Sequence, residues 1–130
     1  MTLSRSITRY LLGIYELSKG TECVRSADLA RFLGVSKASV VKMCAQLTQQ
    51  GLIAKEYYGS IALTDLGVVE ANRAYTGVVI LEHLLETQFG VSAENARDDA
   101  VSCLCTLSQE CADKIIQYAL KQEEELHGST

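Results

Sequence analysis

Ser39, Lys42, Gln46 and Gln49, joined at the amino end by Lys37, lie opposite the side on which Val40, Met43, Cys44 and Leu47 recur at i, i+3, i+4 and i+7. The polar side carries no acid. Amides and hydroxyls hydrogen-bond base edges, and lysines suit phosphates or guanine edges. The chemistry on offer is recognition of duplex DNA, although the same residues also make an ordinary solvated face. Tyr58 and Ser60 stand at the tip of a predicted hairpin. A tyrosine there either touches a phosphate or sugar or shields the hairpin.

Thiols are the other reactive groups. Among five cysteines, Cys103, Cys105 and Cys111 lie close together, with Cys23 and Cys44 elsewhere. Their spacing fits no zinc ribbon and no CxxC pair. Residues two apart on one helix point about 200° from each other, so Cys103 and Cys105 need a distorted helix to share an ion. A soft-metal, iron–sulfur or thiol-redox sensor is one reading; free cysteines acting as small apolar groups in a reducing compartment is the other. His83 adjoins Glu82, where a surface or interface role is expected, and His127 lies in a polar tail. No serine–histidine–acid set, phosphate loop or metalloprotease motif is present, which argues against an enzyme.

The elements that must position these residues follow from periodicity and caps. A first helix is predicted over Ser4–Ser18, with Ile7, Tyr10, Leu11, Ile14 and Leu17 on one face and Gly20 at its carboxy-terminal cap. Val24 falls in a short strand, and Ser26 is the expected N-cap of a helix ending at Leu33. Gly34-Val35 turns the chain, and Ser36 caps the helix that bears the polar stripe. Ile53–Tyr57 and Ser60–Leu63 form a hairpin around Gly59. Helix, glycine turn, helix and two-stranded wing is the layout of a DNA-reading module. Thr64 then caps a long helix over residues 64–89, broken at Gly90. Ser92 and Ser108 cap two more helices, and the tail from Lys121 is expected to fray. The fold class is mainly α: a winged helix-turn-helix domain over residues 1–70, followed by a helical dimerisation domain over 71–130.

Charge divides along the same line. Residues 1–75 hold nine Lys and Arg against six Asp and Glu, a balance of +3; residues 76–130 hold three against ten, a balance of −7. Phosphate contacts then belong to the first part. No apolar run is long enough to cross a bilayer and no signal segment is visible, so the expected place is the cytoplasm, without a membrane partner.

From about Ser4 to Tyr118 the chain resembles the metal-dependent regulators of the diphtheria-toxin-repressor and manganese-transport-regulator group. The pieces that carry the likeness are Arg9-Tyr10-Leu11 with Ile14-Tyr15, Asp28-Leu29-Ala30 with Leu33-Gly34-Val35-Ser36, Ser39-Val40 with Met43, Leu47 and Gly51-Leu52-Ile53, and Leu63-Thr64 with Gly67. Leu84-Leu85, Gly90-Val91, Asp98-Asp99-Ala100 and Leu107-Ser108 extend it. The resemblance implies the short form without a barrel-like third domain, and a homodimeric repressor whose interface includes Val78, Leu81, Leu84 and Leu85. Two third helices would meet a palindromic operator in major grooves about 34 Å apart. It also implies a divalent manganese or iron ion coupling the first helix to the dimer layer.

The family's ligand positions fall on Arg9, Leu12, Val78, Glu82, Arg97, Val101, Leu104 and Cys105. Only Glu82 and Cys105 keep coordinating groups, too few for a dedicated site, so no cofactor is expected at the family position. The sequence-level substitute is Arg9 paired with a carboxylate among Glu82, Glu86, Asp98 and Asp99. Leu12 would pack against Val78, Val101 and Leu104, at about 1.5–3 kcal/mol per buried side chain. A winged-helix module that binds another protein instead of DNA is the alternative the fold leaves open.

Overall fold

The computed structural model describes residues 3–19, 23–55 and 59–128. Its elements are α1 (Arg5–Leu17), β1 (Val24–Arg25), α2 (Ser26–Leu33), α3 (Lys37–Gln49), β2 (Ile53–Lys55), β3 (Ser60–Leu63), α4 (Asp65–Gln88), α5 (Ala93–Thr106) and α6 (Gln109–Gly128). Two compact units divide the chain, Met1–Arg73 and Ala74–Thr130, with the division falling inside α4.

In the first unit, the Ser4 hydroxyl accepts from the Ile7 N–H at 3.2 Å and starts α1. Ile7, Tyr10, Leu11 and Ile14 then turn into a core shared with Leu29 and Leu33 of α2, Val40, Cys44 and Leu47 of α3, and Val24, Ile53 and Ile61 of the sheet. Burial pushes the Tyr10 phenol above its ordinary range; nearby Arg9 pulls it down and Cys44 adds to the rise. Gly34 takes φ +67 as the left-handed C-cap of α2, a conformation that favours glycine, and Val35 N–H closes the turn on the Ala30 carbonyl at 3.0 Å.

Strand order is β1-β3-β2, all antiparallel, with Val24 opposite Ile61 and Ile53 opposite Leu63. Ser26 does not cap α2. Arg25 holds that position without a side-chain bond, and the Ser26 hydroxyl donates to the Gly59 carbonyl at 3.0 Å, tying the start of α2 to the wing. Gly20, Tyr57 and Tyr58 lie outside the described residues.

Thr64 fastens the start of α4. Its hydroxyl donates to the Gly51 carbonyl at 2.6 Å and accepts from the Gly67 N–H at 3.0 Å, while its own N–H reaches the Leu52 carbonyl at 3.1 Å. Residue 67 must be small: a Cβ built on Gly67 would stand 2.0 Å from the Leu52 carbonyl oxygen.

In the second unit, Ser92 and Ser108 cap α5 and α6 by accepting from the Asn95 and Cys111 N–H groups, at 3.4 and 3.1 Å. Ala96 and Ala100 of α5 and Ala112 and Ala119 of α6 are buried small residues, and Gly77 of α4 lies against Leu104 and Ile116. The polar stretch after Lys121 stays helical to Gly128 instead of fraying. Leu126 and Glu123 face α4 across a groove of about 310 Å³, where Glu123 pairs with His83. These contacts stabilise turns that helix propensity alone leaves marginal.

Candidate nucleic-acid interface

Ser36 sets the direction of α3. Its hydroxyl accepts from the Ser39 N–H at 3.1 Å and donates to the Ser39 hydroxyl at 3.0 Å. The helix is 13 residues long and contains no acid. Val40, Cys44 and Leu47 face the core, and at about 100° per residue the side turned directly away is Ala38, Lys42, Ala45 and Gln49, with Val41 beside it. Lys37, Lys42, Gln46 and Gln49 are exposed. Ser39 is half-buried on a flank with its hydroxyl engaged by the cap, so the structure separates it from the outward stripe.

Sequence reasoning passed over Ala38, Val41 and Ala45. Val41 is 56% exposed although it is β-branched and apolar. The signal was available in the helical wheel, where Val41 sits roughly 100° from the buried Val40. Short apolar side chains on a reading helix have a chemical use, contact with the thymine methyl group.

At the wing, Ser60 is half-buried and pairs with Arg25, whose side chain is exposed. That register brings a cation to the same sheet edge, and nothing local in the sequence indicates it. Tyr58 lies outside the described residues.

The positions carried over from the family's ion site have other occupations. Arg9 donates to the Leu33 carbonyl at the end of α2, one of the carbonyls a helix end leaves without an intrahelical partner. Leu12 and Val78 are fully buried. Glu82 accepts from Arg97 Nε at 2.7 Å, and the same guanidinium donates to the Tyr75 hydroxyl with its carbon 5.1 Å from that ring's centroid. Cys103 and Cys105 are half-buried and Cys111 is exposed. Among the described residues no three His, Cys, Asp or Glu side chains come together in a way that could hold a metal ion. The structure therefore does not gather Cys103, Cys105 and Cys111 into a cluster.

Val78, Leu81 and Leu84, expected to face a second copy, are buried within the chain itself, Leu84 at 6% exposure; Leu85 is half-buried. Leu84 lines the groove between α4 and Ala119, Leu120 and Leu126 of α6. Around the groove Val79, Leu120 and Leu126 are exposed and Ile80 is half-buried; Leu66, Val68 and Val69 of α4 and Tyr118 of α6 are exposed as well. Among the described residues no helix is long and apolar enough to cross a membrane.

With this geometry in place, residues 2–61 match the family described as iron dependent repressor, N-terminal DNA binding domain. The HTH-type transcriptional regulator MntR of Geobacillus kaustophilus is 31% identical over 126 residues, spanning 95% of this chain and 89% of the relative. Transcriptional regulator MntR of Escherichia coli O157:H7 is 32% identical over 115 residues, 88% of this chain and 74% of the relative. Among solved structures, T. acidophilum IdeR superposes with a TM-score of 0.75 at 26% identity, over 94% of this chain and 55% of that one. A manganese-dependent transcriptional repressor in complex with manganese shares the fold at TM-score 0.69 and 24% identity, over 87% and 52%. The chain thus spans about half the length of these two solved proteins.

Proposed function

We infer the function from one premise: the chain belongs to the iron-dependent repressor family, among its MntR-like members, and is a DNA-binding transcriptional regulator. The reading surface is α3. The observation that carries this is its outward stripe, in which Lys42 stands exposed on a helix without an acid, with Lys37 exposed at the amino end. Lysines in that setting neutralise phosphates or reach guanine edges, Gln46 and Gln49 hydrogen-bond bases, and Ala38, Val41 and Ala45 suit thymine methyls. Arg25 and Ser60 offer the wing's polar contacts, joined by Tyr58 on its sequence position. Two copies on a palindromic operator, repressing by occupancy in the cytoplasm, complete the reading. The open apolar surface around Val79, Ile80, Leu120 and Leu126 supports self-association through the helical unit.

The test is fluorescence anisotropy on duplexes selected from a random-sequence pool. The selected sites should be two-fold symmetric, with half-sites about one helical turn apart. Affinity should fall steeply with salt, and Lys42→Ala should weaken binding to all duplexes and flatten the salt dependence by about one unit of slope. Absence of duplex binding even at low salt would refute this reading.

The family name brings a divalent iron into question, and one solved relative holds manganese. The residues of this chain do not fit such an ion at the family position. Leu12, Val78, Val101 and Leu104 have no donor atoms, Arg9 and Arg97 are fixed cations, the one carboxylate there, Glu82, is already bonded to Arg97, and the Cys105 thiol alone supplies too few donors.

A further inference from the structure

We propose that the Arg97 guanidinium replaces the ion: it clamps α5 to α4 through Glu82 and Tyr75, and DNA binding by this chain needs no divalent metal. The proposal rests on the DNA-reading function above. Tyr75, Val78 and Glu82 are spaced three and four residues apart, so they share one face of α4. Arg97 comes to that face from α5, one turn into the helix that Ser92 caps.

Its bonds use different edges of one rigid fork. Nε donates to Glu82 Oε2 at 2.7 Å, the Nη1 group donates to the Tyr75 hydroxyl, and the cation lies beside the Tyr75 ring. A planar cation with five donors in fixed directions can hold a carboxylate and a phenol at once, which lysine cannot match. Arg97 is 35% exposed and Glu82 19%, so both are partly withdrawn from water and the pair is screened less than a surface pair. Val78, between the two α4 partners, is completely buried.

An arriving dication would have to displace the guanidinium from Glu82 and then sit beside it, a cation against a cation. It would gain the Glu82 carboxylate and at most the Cys105 thiol, with no donor from Leu12, Val78, Val101 or Leu104, too few for a dedicated site. The exchange is unfavourable, so within the helical unit a permanent α4–α5 clamp stands at the position where the ion would bind.

Two measurements on the full chain test this. First, anisotropy with the selected duplex is run after chelation and again with 1 mM manganese(II). The expected change in affinity is less than twofold; a tenfold gain with manganese would overturn the proposal. A chain that binds no duplex in either condition fails the DNA-reading premise instead, and the second measurement then decides the clamp.

Second, thermal unfolding is followed for the wild type with chelator and with manganese, and for Arg97→Met, Glu82→Gln and the double variant. Manganese should leave the wild-type midpoint unmoved, since an ion that binds the folded chain raises it by mass action. Each single variant should lower the midpoint by roughly 3–6 °C, and the double variant by no more than the larger single loss, because the two groups act as one unit. A midpoint raised by manganese, or additive losses, would overturn the clamp. Arg97→Lys should recover only part of the loss.

Discussion

Gly67→Ala is the sharpest test of how the two ends of the wing are locked to α4, because two effects of opposite sign meet there. On intrinsic propensity alone, replacing a helical glycine by alanine stabilises by about 0.8–1 kcal/mol. The structure opposes this. The added Cβ would stand 2.0 Å from the Leu52 carbonyl oxygen, while carbon–oxygen contacts settle near 3.3 Å. The helix start must retreat by more than an ångström. Three bonds resist that retreat: Thr64 N–H to Leu52 at 3.1 Å, the Thr64 hydroxyl to Gly51 at 2.6 Å, and Gly67 N–H to Thr64 at 3.0 Å. Overpacking costs about 1–3 kcal/mol, and one broken bond adds about 1 kcal/mol. After subtracting the propensity gain, the net is a loss of about 1–3 kcal/mol, or a midpoint lowered by roughly 3–10 °C for a chain of this size. Circular dichroism melts and urea titrations at 25 °C would measure it. A variant as stable as the wild type, or more so, would refute the close approach of Gly67 to Leu52.

Two further outcomes follow from the first unit. Val41→Asp places an acid in the outward stripe of α3 without touching the core, so duplex affinity should drop by at least roughly tenfold while the unfolding midpoint stays within a degree or two; this is read by anisotropy and thermal melts on the same sample. Tyr10 gives a pH signature: its phenol keeps its proton in the folded chain beyond the ordinary value of 10.0. Its share of stability is therefore complete below pH 10.0 and is lost as the pH climbs from there towards the folded value. Urea midpoints measured from pH 8 to 11 should fall at the alkaline end, and Tyr10→Phe should fall less steeply.

Most of the helical order was legible because local chemistry decides it. Ser36, Thr64, Ser92 and Ser108 each carry the cap their spacing announced, and the glycines at 34 and 90 end helices with positive φ. Misreadings came where a distant partner claimed a group. Ser26 looks like an N-cap, but Gly59 takes its hydroxyl across 33 residues. Arg9 looks available for a carboxylate, and the structure shows its guanidinium on the Leu33 carbonyl at the end of α2. Val78, Leu81 and Leu84 look like a dimer seam from one helix alone; all three are buried in the single chain. In isolation Glu82 reads as a ligand kept and Arg97 as a ligand lost. Their meaning as a pair needed the crossing of α4 and α5, which no window of sequence contains.

The exposed alanines and valine of α3 have an evolutionary consequence. Ala38, Val41 and Ala45 are surface residues with no role in the core described for this unit. With α3 reading DNA as proposed, replacements there would leave folding nearly untouched while changing which base edges are met. Target choice would then drift by single codon changes, and a duplicated copy of such a regulator would acquire a new set of promoters without first losing its fold.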